Sequence, residues 1–143
     1  PDAEMRARPC YCGKSGCIEQ FISGPAVEAE FARVSGTRLP LVEIASRAAV
    51  GAAAPDPHAC AAIGRLVSRL GRALAVVCNT IDPDVIVLGG GVSNIEGLAA
   101  RVPEAVAPHV FGDSFVTPVR QARFGDASGV RGAARLWDPP RRA

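Results

Sequence analysis

The longest periodic stretch of the chain runs over residues 58–80. Ile63, Leu66, Val67, Leu70, Leu74 and Val77 fall at offsets of 0, 3, 4, 7, 11 and 14, the spacing of one face of an amphipathic helix. Arg65, Ser68, Arg69 and Arg72 lie largely on another face and are expected to meet solvent. Phe21, Val27 and Phe31 predict an earlier helix over 18–34, broken near Gly24-Pro25. Ser23 can cap a new start there, Pro25 suits an early helical position, and Ser35-Gly36-Thr37 ends the helix. A short helix is predicted over 41–50, followed by an Ala/Pro loop over 52–57 with Asp56-Pro57 as its breaker.

Beyond the long helix the pattern changes. After the turn Asp82-Pro83-Asp84, the run Val85-Ile86-Val87-Leu88 is continuously apolar and largely β-branched, which predicts a strand buried on both faces. Gly89-Gly90-Gly91 follows at once, then a helix over 95–107 interrupted or ended by its prolines. A second strand is predicted over 118–124, with Val119 alternating against polar neighbours. Residues 125–129 form a turn whose Asp126 and Ser128 can cap a closing helix over 130–137, and 138–143 form a tail. Residues 1–9 read as an irregular lead-in and 10–17 as a turn. This order of elements predicts an α/β fold without internal repeat or linker. So few short strands make a poor sheet, and the chain opens Pro1-Asp2-Ala3-Glu4 without Met, so the expectation is a fragment whose domain continues upstream.

Composition narrows the function. The 143 residues suit one domain, with 48% hydrophobic content for a core and 21% charged residues for solubility. Net charge is +2 with arginines scattered, and aromatics make up 5%, which argues against a nucleic-acid surface. No apolar run approaches the roughly 20 residues of a membrane span, and no signal peptide opens the chain.

Chemistry concentrates in Cys10-Tyr11-Cys12-Gly13-Lys14-Ser15-Gly16-Cys17. Thiolates this close, turned by Gly13 and Gly16, can converge on one soft metal ion. Zinc prefers four tetrahedral N/S ligands, so the cluster predicts a structural zinc site and a missing fourth ligand. His58 and His109 are too distant in sequence to assign to it. Cys60 and Cys78 are flanked by Ala and Val and predict buried small apolar side chains. They lie 18 residues apart on one predicted helix, about 27 Å, so they cannot bridge each other. Five cysteines without a secretion signal fit a reducing cytoplasm and one metal site better than a disulfide framework.

Two further features could bind a ligand. Glu19 follows the cysteine turn; by spacing alone it reads first as a solvated helix carboxylate, and second as one that a metal-pinned turn fixes so that it can hold two sugar hydroxyls at once. The strand running into Gly89-Gly90-Gly91 lets a ligand approach backbone with no Cβ in the way, and a following helix N-terminus would offer N–H groups to phosphate. The triplet also reads as a plain tight turn. It matches neither the Gly-Lys-Ser/Thr phosphate loop nor the dinucleotide fingerprint, which would need another Gly at Asn94.

Taken together, Cys10-x-Cys12-Gly13-x-x-Gly16-Cys17-x-Glu19 with Ser23-Gly24, Asp82-Pro83-Asp84-Val85-Ile86-Val87-Leu88-Gly89-Gly90-Gly91-Val92, and Gly125-Asp126-Ala127-Ser128-Gly129 resemble the ROK family of sugar kinases and sugar-responsive repressors. The wording of the cysteine motif is nearest to bacterial fructokinases and mannokinases. The resemblance implies a partial actin-like, ribonuclease-H-like ATPase fold. Residues 1–24 would carry the zinc and sugar-site segment and 25–143 the C-terminal lobe, with the N-terminal lobe absent. Cys10, Cys12 and Cys17 would bind structural zinc with a His from upstream as fourth ligand, Glu19 would hydrogen-bond the sugar, and Gly89, Gly90 and Gly91 would pack against ATP. The implied reaction is transfer of the γ-phosphoryl of Mg-ATP to the 6-hydroxyl of a hexose, fructose or mannose, by a cytoplasmic protein that is a homodimer when complete and has no nucleic-acid or membrane partner. The general-base Asp and the phosphate loop would lie before Pro1, so no catalytic residue is assigned within the chain and the isolated chain is expected to be inactive. Two alternatives stay open: the sugar-sensing half of a ROK repressor, and a zinc-stabilised interaction module unrelated to sugars.

Overall fold

A computed structural model describes residues 8–49, 54–112 and 114–137. Its helices are α1 (Glu19–Ile22), α2 (Gly24–Ser35), α3 (Leu41–Arg47), α4 (Pro57–Ile81), α5 (Leu98–Val106) and α6 (Ser128–Ala134). Its strands are β1 (Ile86–Leu88) and β2 (Val119–Gln121), and short 3-10 turns span Gly91–Asn94, Ala107–His109, Gly125–Ala127 and Arg135–Trp137.

Local signals set most boundaries. Ser23 caps α2, its hydroxyl accepting from the Ala26 N–H at 3.3 Å, and Gly36 ends that helix at φ 74°. Asp56 caps α4, its carboxylate accepting from the N–H of His58 at 2.8 Å and of Ala59 at 3.3 Å, with Pro57 in the first turn. The Asp-Pro breaker of the 52–57 loop is thus also a helix start.

The 25-residue α4 is the spine of the fold. Ala59, Ala62, Ile63, Leu66, Val67, Leu70, Ala75 and Cys78 are buried along it, with α2, α3 and α5 packed around it. The predicted stripe turns near its end: Val77 is exposed, and Ala75 and Cys78 face the core instead. Where α4 meets α5, a Cβ on Gly71 would collide with the Ala105 carbonyl oxygen, so the two helices approach as closely as they do only because that position is glycine.

Strands β1 and β2 pair in parallel, Ile86 opposite Val119 and Leu88 opposite Gln121, joined through α5. This β-α-β unit confirms the α/β class. Burial on both faces does not hold: Ile86 and Val119 are buried, whereas Val85 and Val87 are 47% and 59% exposed. The described helices cover one face of the sheet, and alternation along a strand then sends every second side chain outward. The second strand stops at Gln121, short of the predicted Phe124.

Three other expectations change. The Gly triplet leads into the 3-10 turn Gly91–Asn94, and α5 begins only at Leu98 after Gly97 at φ 71°. The triplet therefore does not open directly onto an α-helix N-terminus. Pro103 sits inside α5 without ending it, and the helix stops at Val106. Cys60 is exposed although Cys78, about five turns further along the same face of α4, is buried, because Cys60 lies in the first turn of the helix, at the end of the packed core. The 1–7 part of the lead-in, part of the 52–57 loop, the 138–143 tail and the side chains of Asp126 and Ser128 lie outside the described residues.

Candidate metal centre and adjoining carboxylate

The cysteine segment folds as a small hairpin. Pro9 and Ser15 form an antiparallel bridge, the Gly16 N–H donates to the Arg8 carbonyl at 3.0 Å, and the Cys10 N–H donates to the Lys14 carbonyl at 2.8 Å. Gly13 at φ 83° and Gly16 at φ 76° make the turns, a backbone state that side chains other than glycine rarely take. The Cys10, Cys12 and Cys17 sulfurs are thereby brought within 4.8 Å of one another, and Cys12 and Cys17 lie 3.4 Å apart.

This donor set fits zinc. With Zn–S bonds of about 2.3 Å, tetrahedral geometry places sulfurs about 3.8 Å apart, close to the 3.4 Å between Cys12 and Cys17 and inside the 4.8 Å within which all three sulfurs fall. The Cys10 thiol is lowered from its ordinary value, first by the Cys12 backbone N–H, while Cys17 is pushed up to about 11 by hydrogen bonds with Cys12 and then Cys10. A bound divalent cation would offset the charge of thiolates gathered this closely. Among the described residues the cluster holds these three ligands. His58 and His109 are exposed near opposite ends of α4, and neither joins it. The His109 carbonyl instead accepts from Asn79 Nδ2 at 3.0 Å.

Glu19 is the first residue of α1, two positions after Cys17, and is exposed. The Tyr11 hydroxyl, on the tip of the hairpin, donates to Glu19 Oε2 at 2.7 Å, and this carboxylate raises the Tyr11 pKa. The structure thus brings the cysteine cluster and Glu19 into one locality. The glycine triplet belongs to a different one: Gly89 lies 3.9 Å, as measured from a Cβ built on it, from Ala122 Cβ, and the 3-10 turn after the triplet packs against the Gly125–Ala127 turn.

Sequence reasoning missed the support behind the hairpin. Arg69, expected in solvent, is 5% exposed and donates to Glu30 from both terminal nitrogens, at 2.7 and 3.2 Å. Arg65 Nε makes an ion-pair contact with Glu30 Oε1 at 2.6 Å without hydrogen-bond alignment. Arg8 donates to Glu30 Oε2 at 2.7 Å and to the Gln20 carbonyl at 2.8 Å, with its guanidinium 4.4 Å above the Phe21 ring. Burial alone would raise the Glu30 carboxyl, but Arg69 and Arg8 outweigh it and hold it down at about 2. A Glu and an Arg separated by 39 residues carry no local signal of their pairing.

The ROK family model matches residues 2–139. The N-acetyl-D-glucosamine kinase of Photobacterium profundum is 38% identical over 127 residues, covering 89% of this chain and 41% of the relative. The crystal structure of a ROK family glucokinase from Streptomyces griseus, in complex with glucose and AMPPNP, superposes with a TM-score of 0.74 at 26% identity, over 90% of this chain and 46% of that one. A ROK family transcriptional regulator, a homologue of the E. coli MLC protein, superposes with a TM-score of 0.68 at 25% identity, over 89% and 34%. The chain spans about two fifths of the length of the curated relatives it matches.

Proposed function

The chain belongs to the ROK family, and we propose that it forms the metal-loop and nucleotide-side part of an ATP-dependent sugar kinase. The observation that carries this reading is the convergence of three thiols on a hairpin that adjoins the first residue of the helix bearing Glu19. Cys10, Cys12 and Cys17 hold a structural zinc ion, which supplies a rigid cross-link and no redox chemistry. A His from elsewhere in the protein completes its ligand set. Glu19 accepts hydroxyls of the sugar, and Tyr11 gives up its bond to that carboxylate when sugar binds.

The triplet supports the nucleotide side. A Cβ on Gly91 would meet nothing within 4 Å, so the space beside it is open to a ligand. Phosphoryl transfer needs positioning and charge neutralisation more than covalent help. Residues of this chain supply the positioning. The general base and the phosphate loop come from outside it, and the isolated chain is inactive.

For the sugar, the wording of the cysteine motif favours fructose or mannose, while the curated relatives are N-acetyl-D-glucosamine kinases. An ATP-coupled assay of the complete reading frame with fructose, mannose, glucose and N-acetylglucosamine tests both the reaction and the choice. Turnover of any one supports the kinase reading. Sugar binding by calorimetry without ATP turnover replaces it with the sensor half of a repressor, the reading favoured by the likeness to the transcriptional regulator.

A further inference from the structure

The hairpin that carries the thiols is a small element, and its attachment to the helices runs through few side chains. Arg8 is the principal one. Its main-chain carbonyl closes the hairpin by accepting from Gly16, while its side chain leaves the hairpin and enters the body of the protein. One guanidinium there bridges the Gln20 carbonyl on α1 and the Glu30 carboxylate on α2, and stacks on the ring of Phe21, which is 1% exposed. Glu30 is fixed in turn by Arg69 from α4. The hairpin is thereby riveted to α1 and α2 through one planar group, and to α4 indirectly through Glu30 and Arg69.

Gln20 makes the second attachment. Its carbonyl takes the Arg8 bond, and its side-chain Nε2 donates to the Cys10 sulfur at 3.8 Å. Gln20 follows Glu19 on α1, so one residue ties a candidate metal ligand to the helix that carries the candidate sugar carboxylate. An N–H donated to a metal-bound thiolate offsets its charge and fixes its direction, and losing such a partner usually costs 10–100-fold in metal affinity.

We propose that Gln20 and Arg8 are positioning residues of the cysteine metal site, Gln20 by supporting the Cys10 sulfur and Arg8, anchored on Glu30, by locking the hairpin against α1. The proposal rests on the reading of Cys10, Cys12 and Cys17 as a zinc site. It makes a chemical demand on position 8 that charge alone does not meet. A lysine ammonium cannot span the Gln20 carbonyl and the Glu30 carboxylate as a planar fork, nor stack flat on Phe21.

The test is zinc affinity of the purified complete protein, measured by competition with a chromophoric chelator, with cobalt(II) as a spectroscopic probe of thiolate ligation. Wild type, Gln20→Leu and Arg8→Lys are compared, together with the unfolding midpoint of each metal-free protein. The expected result is a zinc affinity about 10–100-fold weaker in both variants, a shifted cobalt–thiolate band, and a metal-free midpoint for Gln20→Leu equal to that of wild type. Gln20→Leu keeps the carbonyl that receives Arg8, so it decides the matter if Arg8→Lys fails to fold. Wild-type zinc affinity in both variants overturns the proposal and leaves the metal reading standing. A wild-type chain that binds neither ion overturns the metal reading and this proposal with it.

Discussion

Replacing Glu30 by Gln removes the one carboxylate on which Arg8, Arg65 and Arg69 converge. Glu30 is 8% exposed and Arg69 5% exposed, so the variant leaves a buried guanidinium without its counter-charge. Breaking a buried ion pair from one side costs about 3–5 kcal/mol. Arg8 and Arg69 each keep a further interaction, which places the cost at the lower end of that range. Proton linkage gives a similar figure: a carboxyl held at about 2 against an ordinary 4.5 contributes about 3 kcal/mol at neutral pH. Because the folded-state value is depressed, this stability is fully present above about pH 4.5 and is lost as pH falls toward 2. Urea unfolding of wild type and Glu30→Gln at pH 7, and at steps down to the acid limit of folding, measures it. The expected gap is about 3 kcal/mol at pH 7, narrowing below pH 4.5 as wild type loses the carboxylate. A gap under about 1 kcal/mol at pH 7, or one that does not change with pH, refutes the reasoning.

Two glycines of α4 separate packing from propensity. Gly71→Ala drives a methyl into the Ala105 carbonyl and should lower stability by about 1–3 kcal/mol, whereas Gly64→Ala meets nothing within 4 Å and should raise it by about 0.5–1 kcal/mol; thermal unfolding of both compares the signs. Gly91→Ala should leave the unfolding midpoint unchanged and raise the KM for ATP by about tenfold, equivalent to ~1.4 kcal/mol, in steady-state kinetics of the complete protein; an unchanged KM removes the triplet from the nucleotide side. Glu19→Gln should cut kcat/KM for the sugar by about 10–100-fold, the value of a charged hydrogen bond, and leave zinc binding intact, as read by parallel kinetics and chelator competition.

Residues whose structural role is settled by near neighbours were legible in the sequence. Ser23 and Gly36 set the ends of α2 through bonds to groups at most four residues away, and each does what its type predicts, whereas Asp56, read only as a breaker, also caps α4. The cysteine motif was legible for the same reason: Gly13 and Gly16 turn the chain between thiols seven residues apart at most, and the hairpin closes on itself. The roles of Arg65, Arg69, Cys60 and Val87 were not. Arg69 continues the polar face of α4 in sequence and is buried because α2 brings Glu30 to it. Val87 belongs to an apolar run and is exposed because the described helices cover the opposite face of the sheet. Neither outcome has a signature within the few residues that a periodicity window spans.

The sequence by itself determined the α/β class, both ends of α2, the clustering of the three thiols and the position of Glu19 beside them, since each depends on backbone preference or on spacing along one short segment. Only the tertiary structure decided what holds that segment in place. Arg8, Gln20, Glu30 and Arg69 come from four parts of the chain and meet because α2 and α4 pack together. Such a cluster is the product of long-range packing, in which a charge is tolerated inside only where an opposite charge arrives from elsewhere, and no local pattern encodes that arrival.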